Sequence, residues 1–252
     1  INIGSLYAWN IISSMLMEKY SFSAGVMGIV YGVTLLTFTG SMIPAGRYLH
    51  RFSPRLVVGT TILLYSSGVL LTAFSDGAFL LILLGHGLLV GLATGLGYVS
   101  TTTYGLLPFQ RKSIPMGFIV AAFALGSILV AEFVEILAEQ AYPIEQILII
   151  LAIVQALLMI PALFLVPAKP FTSISPSSPS SGENISITPL VATMFAATFG
   201  GLLIISNIKQ ITVPLNSSIN IALTLILFSA GNGISRILFG LIPFKKHHNV
   251  IV

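Results

Sequence analysis

Long apolar runs separated by short polar breaks make up most of the chain. The runs are continuous rather than alternating, which favours helices over transmembrane β-strands, and a helix of about 20 residues crosses a bilayer core. The pattern predicts eight membrane spans, over residues 1–17, 24–46, 56–75, 78–104, 114–138, 144–166, 188–211 and 219–243. Turn and charge signals mark the breaks, at Glu18-Lys19, Arg47 to Arg55, Asp76-Gly77, Arg111-Lys112 and Tyr142-Pro143. The predicted fold class is an all-α polytopic membrane protein.

The composition agrees with a membrane location. Hydrophobic residues are 56% of the 252 residues and charged residues only 7%, whereas a soluble domain carries roughly a quarter charged residues. These values exclude a soluble enzyme and a nucleic-acid-binding domain. There is no cysteine, which excludes disulfides, thiol nucleophiles and cysteine metal sites. We therefore expect no enzymatic activity, no metal and no cofactor, with the lipid bilayer as the main partner.

The placement of the basic residues predicts the orientation in the membrane. Loops after the even-numbered spans contain eight of them, namely Arg47, Arg51, Arg55, Arg111, Lys112, Lys169, Lys245 and Lys246, whereas the opposite side has only Lys19 and Lys209. Cytoplasmic loops carry the excess of Lys and Arg in membrane proteins. The N-terminus and the even-numbered loops are thus predicted to be cytoplasmic, in a plasma or bacterial inner membrane.

One long connection divides the chain. Residues 167–187 are rich in Ser and Pro, a composition typical of a flexible linker. Residues 1–166 then form a six-helix bundle, and residues 188–252 contain the first two helices of a second bundle. Residues 46–58 and 240–252 share a glycine predicted to end a helix and a basic residue five positions later, which favours a duplicated unit. On this hypothesis the chain is a fragment cut at both ends, and four further spans follow Val252.

Several short motifs give the chain a family resemblance. Gly46, Arg51 and Arg55 lie in a loop similar to the Gly-x-Leu-x-Asp-Arg-x-Gly-Arg pattern of the major facilitator superfamily. Further stretches, at residues 4–9, 91–98, 108–127, 201–206 and 232–240, resemble the oxalate/formate antiporter and monocarboxylate-transporter branch of that superfamily. The resemblance implies a twelve-helix transporter, of which about eight helices are present, that acts as a monomer by alternating access.

The resemblance also implies site residues. The gating loop would contain Gly46, Arg47, His50, Arg51 and Arg55, with His50 in place of the acidic residue of the pattern and Phe244 in its place in the second copy. In the family, that carboxylate pairs with basic neighbours to gate the cytoplasmic side. The substrate site would contain Arg236, Asn232, Tyr7 and Tyr98, and a second cationic residue of the family would lie beyond Val252.

Arg236 is also distinctive on physical grounds alone. An arginine inside a span costs at least about 2.5–3.5 kcal/mol, so it normally faces a cavity or a partner. Ser229, Asn232 and Arg236 form a polar stripe on an apolar helix, and a guanidinium binds a carboxylate through two parallel hydrogen bonds. The alternative is an arginine that extends to the cytoplasmic interface, since Lys245 follows about 13 Å further along.

Two other polar residues and one glycine pattern have competing interpretations. Glu132 shares a stripe with Glu135 and Glu139 and is either a proton-coupling site or a solvated helix end. His86 is either a proton-coupling residue or a histidine that donates to a neighbouring carbonyl. Glycines at four-residue spacing, at 87, 91 and 95, favour close helix packing.

These observations predict a secondary transporter for a small organic anion, a mono- or dicarboxylate, moved by antiport or proton symport. The first alternative is a proton-coupled drug or metabolite exporter that uses Glu132 or His86. The second is a non-transporting sensor or degenerate remnant of the same fold, suggested by His50 and Phe244. A substrate screen and a search for a soluble partner would separate the three.

Overall fold

The computed structural model describes residues 8–110, 112–169 and 221–241, and all regular elements in these ranges are helices. They are α1 (Trp9–Tyr20), α2 (Ala24–Tyr48), α3 (Pro54–Ala73), α4 (Phe79–Leu106), α5 (Ser113–Glu139), α6 (Ile144–Leu165) and α7 (Ile221–Leu241). By length and composition, α2 to α6 are each able to cross a membrane. The all-helical fold class is confirmed. The predicted span 188–211 and the linker beyond Lys169 lie outside the described residues.

The connections on one side of the bundle are tight turns that need unusual backbone angles. Ser21 and Ala141 have φ values of 56° and 59°, and Asp76 and Gly77 have values of 45° and 77°. A Cβ on Gly77 would lie 2.6 Å from Cδ1 of Tyr20, so both the positive φ and the close contact favour glycine. The sequence predicts that Glu18 and Lys19 separate the first two spans, but both lie in the last turn of α1.

The prediction that Gly46 ends the second span is wrong. Helix α2 continues to Tyr48 and is followed by a 3-10 turn, Leu49–Arg51. The helical path ends only at Phe52 and Ser53, which are extended. The physical reason is Pro54: a residue before proline avoids the helical conformation. The Ser53 hydroxyl then accepts a hydrogen bond from the Leu56 backbone and caps α3, a standard helix start.

Side-chain contacts show which connections share an end of the bundle. At one end the Tyr104 hydroxyl donates to the Leu49 carbonyl, and Nε of Arg55 donates to the Val166 carbonyl. The contacts join the α2–α3 loop and the start of α3 to the ends of α4 and α6. We call this the basic end, because its exposed cations are Arg47, Arg51, Arg55, Lys112 and Lys169. At the other end Lys19 forms an ion pair with Glu145, which also accepts a hydrogen bond from the Tyr20 hydroxyl.

Helices α2 and α4 pack against each other at very short distance. A Cβ on Gly91 would lie 1.9 Å from Oγ1 of Thr37, and a Cβ on Gly95 would lie 1.9 Å from Oγ of Ser41. A Cβ on Gly87 would lie 3.2 Å from Val33. The predicted close packing of the glycine stripe is therefore confirmed, with α2 as the partner.

The middle of α4 is a π-helix, Leu83–Val90. Hydroxyls of α2 bond to its backbone: Thr37 donates to the Gly87 carbonyl at 2.7 Å, and Thr34 donates to the His86 carbonyl at 3.3 Å. Such bonds satisfy carbonyls that the wider helical turn leaves without good internal partners. On the opposite face, Gly68 of α3 and Gly85 of α4 meet through their backbones, so α4 is held closely on two sides.

Candidate functional site

The direction of side chains on a helix bears on the two interpretations of Arg236. Helical side chains point toward the N-terminus of their helix, and Nε of Arg236 donates to Oδ1 of Asn232 at 3.0 Å. The guanidinium stem thus folds back along α7, away from Leu241. An arginine that extends to the nearby interface would point the other way. The bond also confirms that the two side chains share one face of the helix.

The pair lies well inside the described part of α7. That part has 21 residues, and Asn232 lies eleven residues after Ile221 and nine before Leu241. It is therefore about 13 Å or more from either end of the described stretch. The hydrogen bond directs the Arg236 side chain back into this stretch, away from Leu241.

Helix α7 is held against α5 by glycine contacts. A Cβ on Gly117 would lie 2.9 Å from the carbonyl oxygen of Arg236, and a Cβ on Gly240 would lie 2.9 Å from that of Ser113. Further along, a Cβ on Gly233 would meet Leu125 at 3.0 Å. The order of these contacts makes the two helices antiparallel. The Arg236 backbone is consequently fixed against the first part of α5.

Tyr98 lies in an aromatic group that joins three helices. Its ring meets Phe38 of α2 edge-on at 6.1 Å and Phe123 of α5 at 5.6 Å between centroids, both favourable geometries for aromatic pairs. Phe123 belongs to α5, the helix that also contacts α7. Tyr7, the other tyrosine predicted for the substrate site, lies outside the described residues.

The predicted gating loop is held by contacts at the basic end. The guanidinium of Arg51 lies over the Tyr48 ring, 5.2 Å from its centroid, which is within the range of a cation–π interaction. Arg55 bonds to the Val166 carbonyl, while Arg47 and His50 are exposed. Gly46 is helical, and a Cβ added to it would have nothing within 4 Å. Phe244 lies outside the described residues.

His86 is buried in the interior of the bundle. Only 2% of its surface is exposed, and its ring stacks on Trp9 at 4.1 Å between centroids. Neither ring nitrogen has a hydrogen-bond partner within the described part of the chain. The expectation of a bond to a neighbouring carbonyl is therefore not met there; it is the His86 backbone carbonyl that accepts one. Its position resembles that of a core aromatic residue.

Replacing His86 by leucine tests this core position. We expect a change of less than about 1 kcal/mol in the free energy of unfolding, because an apolar side chain of similar volume removes two buried polar atoms. Trp9→Ala, which removes the ring on which the imidazole stacks, should cost about 3–5 kcal/mol. Thermal unfolding in detergent gives both values. Solute uptake that disappears in a well-folded His86→Leu variant would instead assign proton coupling to the residue.

Glu132 lies far from Arg236. Counting from Gly117, which contacts the Arg236 backbone, Glu132 is fifteen residues further along α5, or about 22 Å. It is partly buried, and Glu135 and Glu139 follow it at three and seven positions in the same helix, which places the three on one face. The acidic stripe is thus confirmed, toward the end opposite the basic end. The described residues contain no group of three His, Cys, Asp or Glu that could hold a metal ion.

The structure thus brings Asn232 and Arg236 together and places Tyr98 in contact with α5, on which α7 packs. His86 and Glu132 lie elsewhere, one in the bundle interior and one toward the opposite end of α5. Sequence reasoning missed Phe123 as the partner of Tyr98 and Thr34 and Thr37 as partners of the α4 backbone. The signal for the threonines was their spacing of three on a largely apolar helix.

Comparisons with known proteins agree with this architecture. Residues 1–251 match the family model described as Major Facilitator Superfamily. A protein of Escherichia coli (strain K12), described as "Uncharacterized MFS-type transporter YhjX", is 32% identical over 127 residues. The matched region covers 50% of this chain and 31% of the relative, so the chain matches about a third of that protein's length.

Proposed function

The chain belongs to the Major Facilitator Superfamily, and on that premise we propose that it is part of a secondary active transporter for a small organic anion. The substrate is a mono- or dicarboxylate, moved by antiport or by proton symport. It binds between two helical bundles, residues 1–166 and the bundle that begins at residue 188, and the bundles expose it alternately to each side. The basic end of the bundle is cytoplasmic, in keeping with its excess of cations.

The orientation of Arg236 carries this proposal. Its side chain turns back to Asn232, away from Leu241, in a helix that the proposal places within the membrane, where an uncompensated cation is costly. No ion pair joins Arg236 to the described part of the chain, and a carboxylate would supply that charge and fit the planar donor array of the guanidinium. Nε of Arg236 donates to Asn232. In this proposal the terminal nitrogens of the guanidinium are the donors that face the substrate.

Two further features support the same site. Gly117, Gly233 and Gly240 hold α7 against α5, so the cation lies at a boundary between the proposed bundles. Tyr98 contacts Phe123 of α5 and contributes an aromatic wall. The assignment to the oxalate/formate and monocarboxylate branch rests on the sequence motifs that end with residues 232–240.

Transport by the complete protein in proteoliposomes tests the proposal. We expect saturable uptake of radiolabelled formate, oxalate or lactate that an excess of unlabelled carboxylate abolishes, with protein-free liposomes as the control. A lipophilic cation such as tetraphenylphosphonium should not be taken up, because Arg236 repels it. Uptake of the cation alone would favour a drug exporter. No uptake of either, together with stable capture of a soluble protein, would favour the sensor alternative.

A further inference from the structure

A largely apolar cleft lies between α3, α4 and α6 at the basic end of the bundle. Its volume is about 730 Å³, within the range of sites that hold small molecules. The wall includes Val58 of α3, Ser100 and Tyr104 of α4, and Ala162, Leu165 and Val166 at the end of α6. The α4 and α6 residues belong to the last turns of spanning helices, so the cleft lies at the level where a bilayer changes from acyl chains to headgroups.

The rim of the cleft is positively charged. Nε of Arg55 donates to the carbonyl of Val166, a wall residue, at 3.2 Å, which holds the guanidinium beside the wall. Lys169 is exposed two residues after Pro167, another wall residue. The six acidic residues of the described ranges lie toward the opposite end, in α1, the α3–α4 turn, α5 and the start of α6. The rim therefore suits a negatively charged group.

We propose that the cleft binds an anionic glycerophospholipid, with an acyl chain between α3, α4 and α6 and the phosphate on Arg55. The apolar wall matches the acyl chain of such a lipid, and the cationic rim above it matches the anionic headgroup. The neighbouring segment of this chain, residues 170–187, is mostly Ser, Pro and other small or polar residues. It offers little apolar surface to fill the cleft, so the lipid is the better match.

Photo-crosslinking of the complete protein in nanodiscs tests this site. The probe is phosphatidylglycerol with a diazirine in one acyl chain, compared with a phosphatidylcholine analogue, and mass spectrometry locates the labelled peptides. We expect phosphatidylglycerol to label the cleft wall in α4 and α6 several-fold more than phosphatidylcholine does. Excess unlabelled phosphatidylglycerol should remove that labelling.

Two pairs of variants separate the cleft from the rim. Ala162→Phe, which fills the cleft, should reduce labelling of the wall at least fivefold, while Leu158→Phe, one turn earlier on the exposed surface of α6, should not. Arg55→Gln should reduce phosphatidylglycerol labelling to the phosphatidylcholine level, while Arg47→Gln should leave the preference in place. Gel filtration and thermal unfolding of each variant confirm that it is folded.

Labelling that is equal for the two lipids, or unchanged in Ala162→Phe, would overturn the lipid assignment. Labelling of the wall that appears only in the Phe171→Ser variant would also overturn the lipid assignment. It would show that a segment of the chain fills the cleft in the unchanged protein. Transport is not a readout in this experiment. Its outcome is therefore independent of the proposed function at Arg236.

Discussion

Replacing Arg236 by glutamine in the complete protein is expected to abolish carboxylate uptake into proteoliposomes. Removing one partner of a desolvated, hydrogen-bonded charge pair costs about 2–5 kcal/mol, which corresponds to about 30- to 4,000-fold in affinity. Glutamine keeps a polar side chain of moderate length but has neither the charge nor the planar array of donors. Uptake of a labelled carboxylate over a range of concentrations measures the loss.

Two matched variants show whether charge or geometry is responsible. Arg236→Lys keeps the charge but cannot donate two parallel hydrogen bonds, so we expect an intermediate loss. Asn232→Leu keeps the guanidinium but removes the acceptor for Nε, and weaker binding should follow because the arginine is no longer oriented. Unchanged uptake in Arg236→Gln, with protein levels equal to the wild type, would disprove the binding role.

Gly95→Ala is expected to destabilise the protein by about 3 kcal/mol. The new methyl group would lie 1.9 Å from Oγ of Ser41 and 2.4 Å from the carbonyl oxygen of Phe38. Rotation of the serine removes the first conflict, but the second is with backbone, so α2 and α4 must move apart. Overpacking of this kind costs typically 1–3 kcal/mol and occasionally more. Thermal and denaturant unfolding in detergent measures the change.

Gly40→Ala in α2 is the control for that variant. A Cβ on Gly40 would have nothing within 4 Å, and alanine is favoured over glycine in a helix by up to about 1 kcal/mol. Gly40→Ala should therefore leave the stability unchanged or raise it. Equal stability of Gly95→Ala and Gly40→Ala would contradict the packing described for α2 and α4.

The helices themselves could be predicted from the sequence because continuous apolar runs leave few alternatives. For α3 to α6 the predicted and observed ends agree within two residues. The error at Gly46 arose because glycine is common after helices. Here the helical path continues past Gly46, and Pro54, eight residues later, is what ends it. The π-helix in α4 could not be predicted, because its backbone bonds to partners in another helix: hydroxyls of α2 reach the carbonyls of His86 and Gly87.

The candidate site was only partly predictable, for a similar reason. Asn232 and Arg236 are four residues apart on one helix, and local geometry alone brings such side chains together. The partner of each glycine depends on tertiary structure, so no local pattern indicates that Gly117 packs on α7 or that Gly68 packs on Gly85. Tyr98 and Phe123, likewise, belong to different helices and meet only through the packing of α4 on α5.

The glycine contact between α5 and α7 has a consequence for the timing of assembly. Gly117 and Gly240 touch in the folded protein but are separated by about 120 residues of synthesis, which at roughly 5–20 residues per second takes about 6–25 s. We therefore expect the Gly117 surface of α5 to be available before its partner has been synthesised, and the contact to form only when α7 arrives.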